Sequence, residues 1–340
     1  LSSPLIITLT TTNAFTIPAS GCLSANMGTI NIGAANNNVA DLILQGRLEV
    51  MNSGTVNIGN GGGSDNDIEY AAAGNPEINV SGGFLNVDGQ VRRNTSNTLG
   101  SLWFNQSGGT ITIKGNNLNT SRGVFEVVNT GSQFNVSGGN LIIERAGSST
   151  YADILIKPES STVNNTNGGH TLTIGDGLTP AGQTFNLNAS APLWNLTIDA
   201  TTQNKTASLS VNTLSVLNNL TINGGSVFKA KDLDVNIGGG LTNNNLSAAV
   251  GEDKGGYQAG AAGSTQTTNF TGNGQINGTG ANLTNFANLV IGSSSTAPMI
   301  TLGSNSNLRV NNNLTLASGT LSDAGNTITV LGDIHNSAIH

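Results

Sequence analysis

The sequence predicts an all-β fold, a parallel β-helix, right-handed by the commoner precedent and of about 14 coils. Three observations carry the prediction. Short segments alternate apolar and polar residues, as in Thr29-Ile-Asn-Ile32, Thr55-Val-Asn-Ile58 and Thr171-Leu-Thr-Ile174. That is the period-2 signature of a strand with one buried face. Between the segments lie corners rich in Gly and Asn, which tolerate positive φ; Gly alone numbers 46. The second half also repeats itself. Leu196 maps to Leu289, Leu214 to Leu308, Leu220 to Leu314 and Val235 to Val330, at offsets of 93 to 95 residues. An offset that steady marks a sequence repeat. It divides into about four coils of roughly 23 residues, each adding two or three strands.

Competing architectures fit poorly. Hairpins would want two-residue turns of the Asn-Gly kind between every pair of strands, and the corners here vary in length. Helical connectors would show a 3.6-residue period, which Gly and Asn interrupt in every window.

Taken in order, residues 1–18 stand apart. Leu5-Ile-Ile-Thr-Leu9 and Phe15-Thr-Ile17 read as strands bracketed by Pro4 and Pro18. An apolar strand at a chain end needs a partner edge. The segment caps the first coil or is donated to a neighbouring molecule, with Leu5, Ile6, Ile7, Leu9, Phe15 and Ile17 as the contacts. Residues 19–182 read as irregular coils, with corners at Ser81-Gly-Gly83, Ser107-Gly-Gly109 and Ser137-Gly-Gly139. Residues 183–242 and 270–336 are the related repeat blocks, and 243–269 is an insertion. Residues 60–75 and 243–268 read as loops leaving the wall; in solenoids such insertions collect on one face. The Asn residues are expected to stack amide on amide in successive corners, a structural use.

Composition narrows the function classes. The 340 residues carry a formal net charge of −7, with Lys and Arg totalling 12. That disfavours nucleic acid, which needs a basic stripe. Arg92-Arg93, the one adjacent basic pair, reads as a solvated turn. The single cysteine, Cys22, excludes an internal disulfide framework and reads as a buried small hydrophobe or an intermolecular bridge. No 18-residue apolar run suggests a membrane-spanning helix, and no signal peptide is visible. The chain starts at Leu1 rather than Met, which reads as a mature or trimmed form. Low charge with abundant Ser, Thr and Asn suits a secreted surface protein.

Five phrases of the second half carry a resemblance: Phe270-Thr-Gly-Asn-Gly-Gln-Ile-Asn-Gly278, Phe286-Ala-Asn-Leu-Val-Ile291, Leu308-Arg-Val-Asn-Asn-Asn-Leu-Thr-Leu316, Ser318-Gly-Thr-Leu321 and Asn326-Thr-Ile-Thr-Val-Leu-Gly-Asp-Ile334. They resemble the β-strand repeats of very large secreted, adhesin-like surface proteins of Bacteroidetes-type bacteria, over about residues 183–336. The resemblance implies export, by the type IX route, to the cell surface and a surface or matrix role. It also implies a C-terminal sorting domain, which this sequence does not include; the chain then reads as cleaved or as a fragment.

Parallel β-helices also host polysaccharide lyases and hydrolases, so catalytic constellations were sought. Glycoside hydrolysis needs paired carboxylates. Asp176 and Asp199 are 23 residues apart and fit stacking on adjacent coils, although corner placement explains each; Asp232 and Asp234 flank Leu233 and are expected in solvent. His170, His335 and His340 have no metal-ligand spacing, and His170 beside Gly168-Gly169 reads as exposed. No Ser/His/Asp constellation or phosphate loop is recognisable. For Ca²⁺, the candidate is Asp65, Asp67 and Glu69 on a Gly-rich loop, hard oxygen donors without the full EF-hand pattern; no other cofactor is expected. For glycans, Trp194, one of the two tryptophans with Trp103, is the candidate platform. Trp194 stands where the other repeat has Ala287, so the coil does not demand its size. The expected function is a non-catalytic extracellular stalk, adhesin segment or self-assembling fibre subunit. Its expected partners are further copies of itself or surface glycans, with no nucleic acid and no membrane span. The alternative is a polysaccharide-binding or polysaccharide-degrading β-helix.

Overall fold

The computed structural model of the chain describes residues 5–10, 13–33, 41–59, 65–94, 99–116, 119, 121–147, 152–202, 204–278 and 283–337. Every regular element among them is a β-strand. The strands pair in parallel, in sheets of 24, 6 and 3 strands, so the fold is a parallel β-helix. Contacts divide the chain into two units. The first holds residues 1–173 and 185–191, the second residues 174–184 and 192–340.

The first unit has three walls. Ile6–Leu9 opens one, pairing with Thr29–Ile32, which pairs in turn with Thr55–Ile58 and then residues 84–87. Phe15–Ile17, Leu42–Leu44, Ile68–Tyr70 and Val91–Arg93 form the second. Cys22–Ala25, Arg47–Val50, residues 77–80, 103–106 and 133–136 form the third. Alternation sends one residue in two inward, so columns of like residues stack through the core. Ile30, Val56, Leu85, Ile111 and Leu141 make one such column, all buried. A ring stack fills the wider part. Phe104 and Phe134 lie 5.6 Å apart and nearly parallel, with Phe125 edge-on to Phe104 at 5.1 Å.

Asn ladders are present, chiefly on strands rather than at corners. Asn57 Nδ2 donates to Asn31 Oδ1 (2.8 Å), and Asn86 Nδ2 to Asn57 Oδ1 (2.8 Å). All three sit at outward positions of one wall. Parallel register repeats the same outward position about every 4.8 Å, a spacing at which one amide reaches the next. The Ser-Gly-Gly corners bend the long strands Glu77–Val87, Trp103–Ile113 and Phe125–Ile143 from the third wall into the first. Gly83 has φ +63°, and a Cβ there would run into the carbonyl of Gly54 in the coil before. Only glycine fits.

The second unit takes three strands per coil among the described residues. Asn195–Ile198, Leu220–Ile222, Leu241–Asn243, Gly274–Gly278, Met299–Leu302 and Thr320–Ser322 stack in one wall. Leu214–Val216, Val235–Ile237, Thr267–Phe270, Asn288–Ile291, Leu314–Leu316 and Ile334–Asn336 stack in another. The expected four-coil repeat is corrected here. Leu196 lies in the first of these walls, and its counterpart Leu289 lies in the other. The repeat spans eleven strands, not twelve, and so returns one wall short of a full turn. Coil length explains this: Leu196 to Leu220 takes 24 residues, but Leu241 to Ile276 takes 35. Each wall asks the same of the sequence, apolar in and polar out, so one phrase serves in any wall.

Two expected loops carry rungs. Ile68–Tyr70, inside the expected loop 60–75, pairs with both neighbouring coils and is buried. Tyr257–Gln258, inside the insertion, pairs with Val227–Lys229. Tyr257 is fully buried, 5.6 Å from Phe228 and 5.3 Å from Phe286. Its hydroxyl meets Thr268 Oγ1 at 2.6 Å, which satisfies the polar end.

Candidate functional site

The coil edges come first. In the first unit, Ile6–Leu9, Phe15–Ile17 and Cys22–Ala25 each pair on one side only among the described residues. Leu5, Ile6 and Ile7 are exposed by 59, 64 and 43%. Ile7 occupies the inward column of Ile30, and no described strand covers its other side. Leu9 and Phe15 are half-buried, and Ile17 is buried. In the second unit, Thr320–Ser322, Ile328–Val330 and Ile334–Asn336 likewise pair on one side. Leu308, Val310 and Leu314 are buried, but the next residues in their columns are not: Ile328 and Val330 are half-exposed and Ile334 is 62% exposed. Among the described residues each edge thus offers three strands paired on one side only and an incompletely covered apolar interior, a template for another parallel coil.

A groove follows the Ser-Gly-Gly corner of the first unit. It encloses about 450 Å³, and its floor is a register column of Glu49, Asn79, Asn105, Asn135 and Thr162. Asn105 Nδ2 donates to Asn79 Oδ1 (2.7 Å) and to Glu77 Oε1 (3.0 Å); Asn135 Nδ2 donates to Asn105 Oδ1 (3.0 Å). Trp103 stands exposed two residues before Asn105 on the same face, its Nε1 donating to the Gly131 carbonyl (3.0 Å). Trp103 is not itself part of the groove lining; Trp194 is half-buried in the second unit.

Beneath the groove floor, Gln106 sits in the core column between Val80 and Val136. His170 answers it, Nε2 to Oε1 at 3.0 Å, while the Gln106 amide donates to the Asn140 carbonyl. His170 was expected to be exposed and is fully buried, edge-on to Phe134. Burial pushes its pKa from 6.5 down to about 3. A base held neutral in the fold stabilises it fully above pH 6.5, and that stability is lost as pH falls from 6.5 toward 3. Asp153, pushed up to about 6 by burial, has the opposite slope: stability falls as pH rises from 3.8 to 6. The His170→Gln variant isolates the histidine. Its unfolding free energy, taken from urea melts, is expected to lack a fall of roughly 1.4 kcal/mol per pH unit between pH 6.5 and 4.5 that the parent shows. Equal slopes in both proteins would refute the assignment.

The Ca²⁺ candidate resolves differently. Glu69 lies on a strand, and Asp67 just before it. Arg92, in register with Glu69 on the next coil, places Nε 2.7 Å from Asp67 Oδ2 and a terminal nitrogen against Glu69. A guanidinium stands where these carboxylates converge. Burial raises the pKa of both acids, and Arg92 opposes the rise. Asp67 Oδ1 also accepts the N–H of Gln90, and Asp41 Oδ1 that of Asp67 (2.9 Å), so each carboxylate caps the next coil. Asp65 is half-buried and lies outside the ion pairs that Arg92 makes with Asp67 and Glu69. Among the described residues no group of three His, Cys, Asp or Glu side chains is placed to hold a metal ion.

Arg92 and Arg93 are therefore not a solvated turn. Both are buried: Arg93 reaches Glu126, Nε to Oε2 at 2.8 Å and Nη2 to Oε1 at 3.2 Å. Glu126 is fully buried and also accepts the Gly123 N–H (2.8 Å). Sequence reading missed Glu126 because it looks like any outward residue of an alternating strand. Cys22 is likewise corrected. It is exposed, in register with Arg47, because Leu23 and Ala25 take the inward positions.

The remaining acids are held locally. Asp176 Oδ1 accepts the Leu178 N–H (2.7 Å) within its own turn. Asp199 binds Thr201 and Lys205, whose Nζ lies 2.9 Å from Asp199 Oδ2 and from the Thr201 carbonyl. The two aspartates thus serve separate bonding groups. Asp232 and Asp234 are exposed, and Asp234 Oδ1 accepts the Thr267 N–H (2.8 Å). His335 is exposed on the last strand, and His340 lies outside the described residues. No described helix is long and apolar enough to cross a membrane. No family model, no curated protein and no solved structure matches the chain.

Proposed function

We propose that this chain is a non-catalytic structural module, a stalk or fibre subunit of a bacterial cell surface or matrix, which associates coil edge to coil edge. The observation that supports this is the pair of open edges: Ile7 and its neighbours at one, and Ile328, Val330 and Ile334 at the other, all in core columns with no further strand stacked on them among the described residues. The surface that fits an open parallel coil is another parallel coil. Joining unlike edges is a head-to-tail contact, the kind that builds filaments where the rotation does not close. A structural role is also supported by how the buried acids are used. Asp67 and Glu69 meet Arg92, Glu126 meets Arg93, Asp88 meets Lys114 and Asp199 meets Lys205. Each of these carboxylates is taken up by a cation of the fold itself. Export and surface location rest on composition and on the repeat resemblance. Electron microscopy of the undenatured protein over a concentration series tests the reading. Filaments that lengthen with concentration are expected; single particles at every soluble concentration would overturn it.

A further inference from the structure

We propose that the corner groove of the first unit binds an uncharged polysaccharide chain laid across successive coils, with Trp103, exposed on the same face two residues before the floor residue Asn105 but outside the groove lining, as a flanking stacking platform. This goes beyond edge association and stands whether or not the edges pair.

The groove has the dimensions and repeat of a linear polymer site. Its floor column, Glu49 to Thr162, crosses five strands in register, about 19 Å at the spacing of neighbouring strands. Equivalent groups recur along it, Asn79, Asn105 and Asn135 on the floor and the corner serines beside them. A ligand with a repeating unit meets the same chemistry at each step. A single small molecule would use one step only.

The chemistry suits a sugar. A pyranose has an apolar C–H face and a rim of hydroxyls that both donate and accept. An exposed indole offers the matching flat surface, and Trp103 is 42% exposed with its ring tied down through Nε1. Side-chain amides offer both hydrogen-bond roles. Those of Asn105 and Asn135 are already fixed by the ladder, since Asn105 donates to Asn79 and Glu77, and Asn135 to Asn105 and Gln133. Their remaining lone pairs are presented without further ordering, which lowers the entropic cost of binding.

Charge selects among glycans. The one ionisable residue lining the groove is Glu49, paired with Arg47 at 2.9 Å. No lysine lines it, so a uronate or sulfate would find no cation of its own. The cleft beside Lys229 and Lys231 in the second unit, about 490 Å³, has cations but also Asp232 and Asp253. An extended peptide is the other polymer to weigh. The groove floor is the middle of a wall whose backbone groups are spent on its own parallel ladder, so strand addition is closed to it.

The test uses the full chain against hexasaccharides of the cello-, xylo-, malto-, laminari- and chito- series, by calorimetry and tryptophan fluorescence. Polygalacturonate, heparin and an extended-peptide library are run beside them. At least one neutral hexamer is expected to bind and to perturb the fluorescence. Trp103→Ala is expected to weaken it at least tenfold, with Trp103→Phe between the two and Trp194→Ala unchanged. Trp103 is exposed, so its variants should keep the parent's melting curve, which is measured alongside. Binding of none of the neutral hexamers, binding of the acidic polymers or peptides alone, or neutral binding indifferent to Trp103→Ala would each overturn the proposal.

Discussion

Placing lysine at both Ile7 and Ile334 is expected to abolish filaments while leaving the monomer folded. Ile7 and Ile334 are 43% and 62% exposed in the single chain, so a lysine can keep its ammonium in water there. In a filament both positions become interior, in the columns of Ile30 and Leu314. The change removes about 1.5–3 kcal/mol of apolar burial per site. It also buries unpaired charge, at a cost of several kcal/mol per ion. Even 3 kcal/mol raises the concentration needed for assembly on the order of a hundredfold. Sedimentation velocity with electron microscopy reads the threshold. Leu178→Lys is the control, because Leu178 is 70% exposed at a turn tip away from either edge strand. Filaments that form at the parent's threshold in the double variant would remove edge association as the mode of assembly.

Removing one partner of the Arg93–Glu126 pair is expected to be the most damaging single change to the first unit. The guanidinium is bound through two nitrogens, and the carboxylate also takes the Gly123 N–H. Glu126→Ala strands a buried cation and frees that loop N–H. Breaking such a pair typically costs about 3–5 kcal/mol, a large share of the stability of an ordinary domain. Urea unfolding should show the loss, and limited proteolysis should reach the chain near Arg122 first. The paired change Arg93→Met with Glu126→Leu should recover much of it, because no charge is then left buried. Lys254→Ala, which breaks the exposed pair with Asp253, should leave the midpoint where it was. A Glu126→Ala protein as stable as the parent would mean that the pair contributes specificity at most.

Much of the architecture is legible along the chain because its causes are local. An alternating tetrad such as Thr55-Val-Asn-Ile58 states which residues face inward without reference to any other strand. A Gly pair after Ser states a corner, and the left-handed backbone of Gly83 and Gly109 bears that out. Repeated Asn states a ladder, expected at the corners; parallel register sets it chiefly at outward strand positions instead. Parallel strands, short corners and ladders therefore follow from a few residues at a time.

What tertiary structure alone decided depends on which residues meet across coils of unequal length. The Arg92-Arg93 pair looks solvated until coil spacing sets Glu69 beside one arginine and Glu126 beside the other. His170 looks like a turn residue until the next strand carries it under Gln106, 64 positions earlier. Asn79, Asn105 and Asn135 floor one groove because the Ser-Gly-Gly corners of three coils align. The sequence repeat returns one wall out of step because a 35-residue coil interrupts it. The sequence by itself determined the kind of coil, because strand alternation and corner chemistry act over neighbouring residues. The fold decided the sites, because a site here is a column, and its members are set by the summed lengths of all the corners between them.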